Sequence, residues 1–194
     1  MTSFDSILKF EQLLGAYTNA PFVVMTDCCT HAIELCLILD KIQSCQFVPR
    51  TYLSIPMTMH KLGISYTYLD DTPWIGEYQF KNTRIWDSAR LLRTNMYRPG
   101  QLQCLSFGYN KPLEIGRGGA ILLDDQESYN KLIRMRYDGR DLSISPWENQ
   151  QSFEIGYHYR PTPEEAKLGI EKLSTVDPQP KYHIYPDLRK IIIK

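Results

Sequence analysis

Short apolar segments alternate with segments of helical character, and this alternation constrains the fold of the chain most strongly. Pro21–Met25 is apolar and β-branched, and the next apolar segment, Ala32–Leu39, has the length and composition of a helix. The same order repeats further along, with strands predicted at 46–48, 64–69, 84–86, 102–107 and 120–123 and helices at 54–62 and 126–137. The repetition predicts an α/β fold of three αβα layers around a mostly parallel sheet.

Composition narrows the class of partner and the compartment. The chain has 194 residues, 43% of them apolar, and its formal net charge is zero, so no long-range field favours nucleic acid or an anionic membrane. Five cysteines without a CxxC pair favour reduced thiols in a cytoplasmic protein, and the four histidines show no zinc-ligand spacing. The first residues, MTSFDSILKFEQLL, predict an amphipathic surface helix and not a signal peptide. We expect neither a metal site nor a membrane span.

Several polar residues follow directly after predicted strands. Ligands of α/β proteins bind beyond the carboxyl ends of the sheet strands. We therefore expect four such residues, which are far apart in sequence, to lie on one rim of the sheet: Thr30, Asp87, Ser106 and Lys111.

Five motifs follow one another in an order that resembles a known family. They lie at 26–32, 48–54, 85–90, 105–120 and 156–169, and the most specific is Ser106-Phe107, three further residues, Lys111 and then a Gly-Arg-Gly-Gly segment. The sequence resembles the DegT/DnrJ/EryC1/StrS sugar aminotransferases, a fold-type I family that depends on pyridoxal 5'-phosphate (PLP). The resemblance runs from about Phe10 to about Leu173.

The resemblance implies two catalytic residues. Lys111 would hold PLP covalently and, once released, move a proton between substrate and cofactor carbons. Asp87, in a segment similar to the family's Glu-Asp-Ala-Ala-Gln, would pair with the protonated pyridine nitrogen and make the ring an electron sink. A lysine at 111 favours amination over the dehydratases of the family, which have histidine there.

The resemblance also implies the other cofactor contacts. Tyr52 would stack on the ring, and Ser106 would bind the phosphate. Thr30 and Cys29 lie in the turn at the start of a predicted helix, where backbone N–H groups suit a phosphate. Cys29 replaces the glycine that is usual in the family. As isolated features, Thr30 fits a simple helix cap better, and Tyr52 fits a buried core tyrosine better.

Two further positions depart from the family pattern. Arg90 stands where glutamine or histidine usually lies near the phenolic oxygen of the ring. His158 replaces an asparagine that reaches the phosphate of the neighbouring subunit, so the site would be shared across a homodimer.

These motifs predict a domain organisation and a function. Residues 1–173 would form a shortened large domain, and 174–194 would be a tail that remains from a small domain of which most is lacking. The expected function is transfer of an amino group, from a donor such as glutamate, to a nucleotide-linked keto sugar for polysaccharide biosynthesis. A non-catalytic member that binds PLP or a nucleotide sugar, or serves as a dimeric regulatory subunit, stays open, as does an unrelated α/β binding module.

Overall fold

A computed structural model of the chain describes residues 5–193, so the first four residues of the predicted amino-terminal helix lie outside the described part. The helices and strands alternate broadly as the sequence predicts. The helices are α1 Asp5–Thr18, α2 Cys29–Leu39, α3 Ser54–Leu62, α4 Gln126–Met135 and α5 Pro163–Lys172. The strands are β1 Phe22–Thr26, β2 Ser44–Phe47, β3 Ser65–Tyr68, β4 Tyr78–Gln79, β5 Ile85–Asp87, β6 Leu102–Ser106 and β7 Gly119–Leu123. Within 5–193, no helix combines the length and the apolar character that a bilayer crossing requires.

The central sheet has five strands in the order β1-β7-β6-β5-β4. β5 and β6 pair in parallel, while β7 pairs antiparallel with both β6 and β1, and β4 pairs antiparallel with β5. The predicted α/β class is confirmed, with a sheet that is mixed and not mostly parallel. The reason is that β6 returns directly into β7 through residues 107–118, without the crossover helix that a parallel neighbour would need. β1, β5 and β6 still run in one direction, so their carboxyl ends meet at one edge.

Alternate residues of the sheet enter two separate cores, one on each face. On β7, Ile121 packs with the side of α2 and α4, whereas Leu122 packs with the side of α1 and α5. Phe10 of α1 and Phe107 after β6 meet edge to face in the second core, with ring centroids 5.6 Å apart. Helices therefore cover both faces of the sheet, as the three-layer prediction requires.

Two helix ends match their sequence signals. Gly63 ends α3 with a φ of +67°, the left-handed conformation that glycine adopts without strain. Thr162 begins α5 through a capping box with Glu165, in which each side chain binds the other's backbone N–H.

The segment after α5 does not lie apart as a tail but folds back along the edge of the sheet that holds the strand ends. The backbone N–H of Lys181 donates to the carbonyl of Arg90 at 2.8 Å, and that of Leu188 donates to the carbonyl of Pro49 at 3.0 Å. The rings of Trp74 and Tyr185 are nearly parallel, with centroids 6.0 Å apart. These contacts bring 181–188 over the cavity described next.

Candidate functional site

A cavity of about 490 Å³ opens at the carboxyl ends of β5 and β6, next to the first turn of α2. Its walls come from segments that are far apart in the chain. Seven of the eight residues predicted to bind the cofactor line it: Cys29, Thr30, Tyr52, Asp87, Arg90, Ser106 and Lys111. The structure thus gathers them around one volume, although the role of each stays a prediction.

Asp87 ends β5 and is buried at the floor of this cavity, with 5% of its surface exposed. Its carboxylate accepts a hydrogen bond of 3.0 Å from the backbone N–H of Ala89. Burial raises the pKa of Asp87 above the ordinary aspartate value, against the opposing influence of that N–H and of Lys111. A buried carboxylate of this kind gains stability from a positively charged hydrogen-bond donor inside the cavity.

Lys111 projects from the loop between β6 and β7, which is held in a defined conformation. Asn110 adopts a φ of +58°, and its N–H donates to the carboxylate of Glu114 at 2.8 Å. Leu113 and Ile115 are buried and anchor the loop on the core. Burial lowers the pKa of Lys111 below that of an ordinary lysine, and the neighbouring guanidinium of Arg90 acts in the same direction. A larger share of its amine is therefore neutral at a given pH.

The first turn of α2 meets the cavity because β7 passes unusually close to it. A Cβ at Gly119 would lie 2.5 Å from both the carbonyl carbon of Cys28 and the amide nitrogen of Cys29, so only glycine fits there. The side chain of Cys28 makes no capping hydrogen bond, and the hydroxyls of Thr30 and Ser54 lie 2.8 Å apart beside this turn. An uncapped helix start with hydroxyls beside it suits a phosphate group.

Three charged residues, Asp27, His31 and Arg117, form a cluster next to the first turn of α2. The Asp27 carboxylate bonds to Nδ1 of His31 at 2.6 Å and to the guanidinium of Arg117 at 2.7 Å. Burial disfavours the imidazolium, but the hydrogen bond to Asp27 outweighs it and raises the pKa of His31 to about 9. Ligand atoms of Asp27, Cys28 and His31 lie within 4.8 Å of one another, a spacing compatible with a cation. Since His31 and Arg117 already supply positive charge there, we interpret the group as an ion-pair cluster.

The remaining predicted residues differ in their surroundings. Tyr52 stands at the mouth of the cavity with 62% of its surface exposed. His158 does not line the cavity, and its Nδ1 lies 3.1 Å from the Asp138 carboxylate on the surface. His158 therefore does not reach the cavity of its own chain, and its contact with a neighbouring subunit stays a prediction.

Sequence reasoning missed several aromatic residues of the wall, among them Trp74, His183 and Tyr185. Trp74 lies between the strands predicted at 64–69 and 84–86, in a segment that also contains the short strand β4. The other two belong to the segment predicted to be a tail. Their aromatic character is the only signal in the sequence, because aromatic side chains can bury a large surface. They show no helix or strand periodicity that would have pointed to them.

Comparisons with known proteins agree with the fold. The model of the DegT/DnrJ/EryC1/StrS aminotransferase family matches residues 96–182, which include the Lys111 loop. A comparison with curated proteins found no significant match.

Solved structures similar to this chain include the sugar aminotransferase CalS13 from Micromonospora echinospora, at 17% identity and a TM-score of 0.73 over 87% of this chain and 60% of CalS13. Another is NtdA from Bacillus subtilis with the bound cofactor PMP, at 17% identity and a TM-score of 0.72 over 87% of this chain and 47% of NtdA. A third is a GDP-4-keto-6-deoxymannose-3-dehydratase with bound GDP-perosamine, at 13% identity and a TM-score of 0.70 over 88% of this chain and 61% of the enzyme.

The chain spans less than two thirds of the length of each of these structures. The likeness in fold extends over most of the chain, well beyond the segment that the family model matches. The segment 96–182 is therefore similar to the DegT/DnrJ/EryC1/StrS aminotransferase family in sequence, and most of the chain shares the fold of the solved structures.

Proposed function

We propose that the protein is a PLP-dependent aminotransferase that uses Lys111 and Asp87 at the centre of the described cavity. The observation that carries this proposal is the meeting of a buried carboxylate and a lysine of lowered pKa in one cavity that an uncapped helix start also lines. Such perturbed pairs are concentrated at catalytic sites.

The residues present fit PLP, part by part. Asp87 is a buried acceptor that suits the protonated ring nitrogen, and the first turn of α2 with Thr30 suits the phosphate. Ser106, at the end of β6, lines the same cavity and is placed to donate a further hydrogen bond. Tyr52 stands at the mouth, where its ring can cover one face of the cofactor. When bound, PLP supplies an electron sink for the carbon that exchanges its amino group.

The residues of the chain then have separate tasks. The lowered pKa of Lys111 raises the share of neutral amine, the form that attachment to the cofactor requires, and the same amine would carry a proton to and from the substrate carbon. Asp87 would hold the protonated ring nitrogen of the cofactor by charge, and its burial shields this contact from water. A lysine at 111 favours amination, since the dehydratases that the sequence resembles have histidine there.

The substrates that we propose are a nucleotide-linked keto sugar and an amino donor such as glutamate, and the setting is the cytoplasm. The sugar aminotransferase CalS13 and the dehydratase with bound GDP-perosamine are among the structural neighbours and support a sugar substrate. We further propose that residues 1–173 carry the cofactor, that 174–194 cover it, and that His158 reaches the site of a second subunit in a homodimer. His158 supports the last point, because its side chain is 81% exposed and free of the cavity of its own chain.

The test is loading with PLP followed by reduction with borohydride. The wild type should develop the absorbance of bound cofactor, and reduction should fix it to the peptide that contains Lys111. Lys111→Ala should lose the fixed label, while Lys167→Ala, which changes an exposed lysine of α5, should keep it. Equal labelling of wild type and Lys111→Ala would contradict the assignment. If the absorbance forms but glutamate does not convert it, the non-catalytic reading is favoured instead.

A further inference from the structure

Arg90 is buried without a carboxylate partner. Only 6% of its surface is exposed, and its Nε donates a hydrogen bond of 3.2 Å to the hydroxyl of Tyr185, whose ring it also faces. No carboxylate oxygen within 5–193 lies within 4 Å of its guanidinium nitrogens. Asp87 attracts it at longer range, but that carboxylate is the group proposed to hold the ring nitrogen. A buried guanidinium left in this state favours an anion from outside the chain.

Arg90 lines a space that could hold such an anion. A second cavity of about 380 Å³ adjoins the first, and four residues line both of them. The shared residues are Arg90, Asn110, Lys111 and His183. Since the Nε of Arg90 is engaged with Tyr185, its two terminal amino groups are the donors that remain, a pair that matches the two oxygens of a carboxylate.

The other charges around the second cavity largely cancel. Lys181 is paired with Asp177 at 2.5 Å, and Glu114 contributes a negative charge to the wall. Burial and the nearby cations Arg90 and Lys111 lower the pKa of His183, so its imidazole is less readily charged than that of an ordinary histidine. With the positive charge of Lys111 set against the negative charge of Glu114, the charge left to satisfy is close to that of a single guanidinium, which one carboxylate group balances.

We propose that Arg90 and His183 form a subsite for a carboxylate group of the amino donor and of the keto acid that leaves in its place. This inference rests on the proposed function, because the subsite adjoins the cavity assigned to the cofactor. It makes Arg90 a residue that selects the donor, with its guanidinium oriented by Tyr185 from the segment 181–188. Asn110, which lines both cavities, is placed to add a neutral donor.

The experiment is a titration of the purified protein with succinate, without added cofactor, so that the result does not depend on PLP loading. The imidazole of His183 is followed by NMR, and binding is measured by calorimetry. Succinate should bind saturably and raise the pKa of His183, because a carboxylate beside the ring stabilises its charged form.

Three variants test the residues separately. Arg90→Gln should weaken succinate binding about tenfold or more, since hydrogen bonds to charged groups are the strong ones. Arg134→Gln, which changes an exposed arginine paired with Glu154, should bind as the wild type does. His183→Gln changes an exposed residue of the rim, so it should fold normally and bind succinate severalfold more weakly.

Two results would overturn the inference: no saturable change on adding succinate to the wild type, or an unchanged affinity in folded Arg90→Gln. Should Arg90→Gln fail to fold, wild-type affinity in His183→Gln would overturn it as well. Failure of PLP to become fixed to Lys111 is a separate result, which would contradict the proposed function and leave the succinate titration to be judged by itself.

Discussion

The carboxylate of Glu11 on α1 and the guanidinium of Arg136 after α4 form an ion pair that is sealed inside the protein, with 5% and 4% of the side chains exposed. Both also bind the backbone of Met25 in β1, Glu11 by accepting its N–H at 2.7 Å and Arg136 by donating to its carbonyl at 2.6 Å. The pair therefore joins helices on opposite faces of the sheet to the strand that leads into the α2 turn.

Removing one partner of this pair should be costly. Glu11→Ala leaves the buried charge of Arg136 without its counter-ion, which in comparable sites destabilises by about 3–5 kcal/mol. The measurement is urea unfolding followed by circular dichroism. Glu154→Ala is the matched control, because its pair with Arg134 is exposed and should contribute less than about 1 kcal/mol. Similar midpoints for the two variants would contradict this account.

Attachment of PLP should depend on pH in a way set by Lys111. Only the neutral amine reacts, so the rate should rise with pH through the pKa of the group. Because burial lowers that pKa, the rise should be centred below the range of an ordinary lysine. Stopped-flow absorbance across the pH range measures it. A rise centred at the ordinary lysine value would show that Lys111 is solvated as a surface lysine is.

The ion pair of His31 with Asp27 should make stability depend on pH. The pKa of His31 is about 9 in the folded state, above the ordinary histidine value of 6.5. The contribution of the ion pair to stability is therefore fully present below about pH 6.5 and is lost as pH rises through 9. We expect the free energy of unfolding to fall by about 1–3 kcal/mol across this window. His31→Gln should remove most of that fall, whereas His60→Gln, on the exposed end of α3, should preserve it.

Gly119 should not tolerate a side chain. Gly119→Ala places a Cβ 2.5 Å from backbone atoms of Cys28 and Cys29, which cannot yield as a side chain could. We expect a loss of more than about 2 kcal/mol, by analogy with overpacked sites, and weaker PLP binding because the α2 turn must move. Gly108→Ala is the control for stability, since its nearest neighbour is the Ser106 hydroxyl at 3.8 Å. Thermal unfolding measures the stability of both variants, and an equal loss in the two would contradict this prediction.

Docking of the segment 181–188 should depend on Tyr185. Tyr185 is 8% exposed between Trp74 and Arg90, whereas Tyr182 is 65% exposed. Tyr185→Ala should therefore speed hydrogen exchange of the backbone N–H groups of Lys181 and Leu188, and Tyr182→Ala should leave it unchanged. Equal exchange in both variants would show that the backbone hydrogen bonds alone hold the segment.

The strands, helices and site motifs of this chain were predictable from local patterns. Gly63, the Thr162 cap and the polar residues at strand ends all carry signals that extend over a few neighbours. Trp74 and Tyr185 carry none, because they meet only through the tertiary path of the chain. The direction of β7 could not be predicted either. Residues 107–118 indicate a loop, but they do not indicate on which side of β6 the next strand pairs.

The walls of the cavity come from positions as distant as Cys28 and Tyr185, so only a fragment that includes most of the chain contains it. Contacts between such distant positions form late, because long stretches must first be brought together at an entropic cost. Binding of PLP in this cavity, followed by its absorbance, would therefore report that folding is complete. Its time course after dilution from urea would trace the final stage of assembly, with no added label.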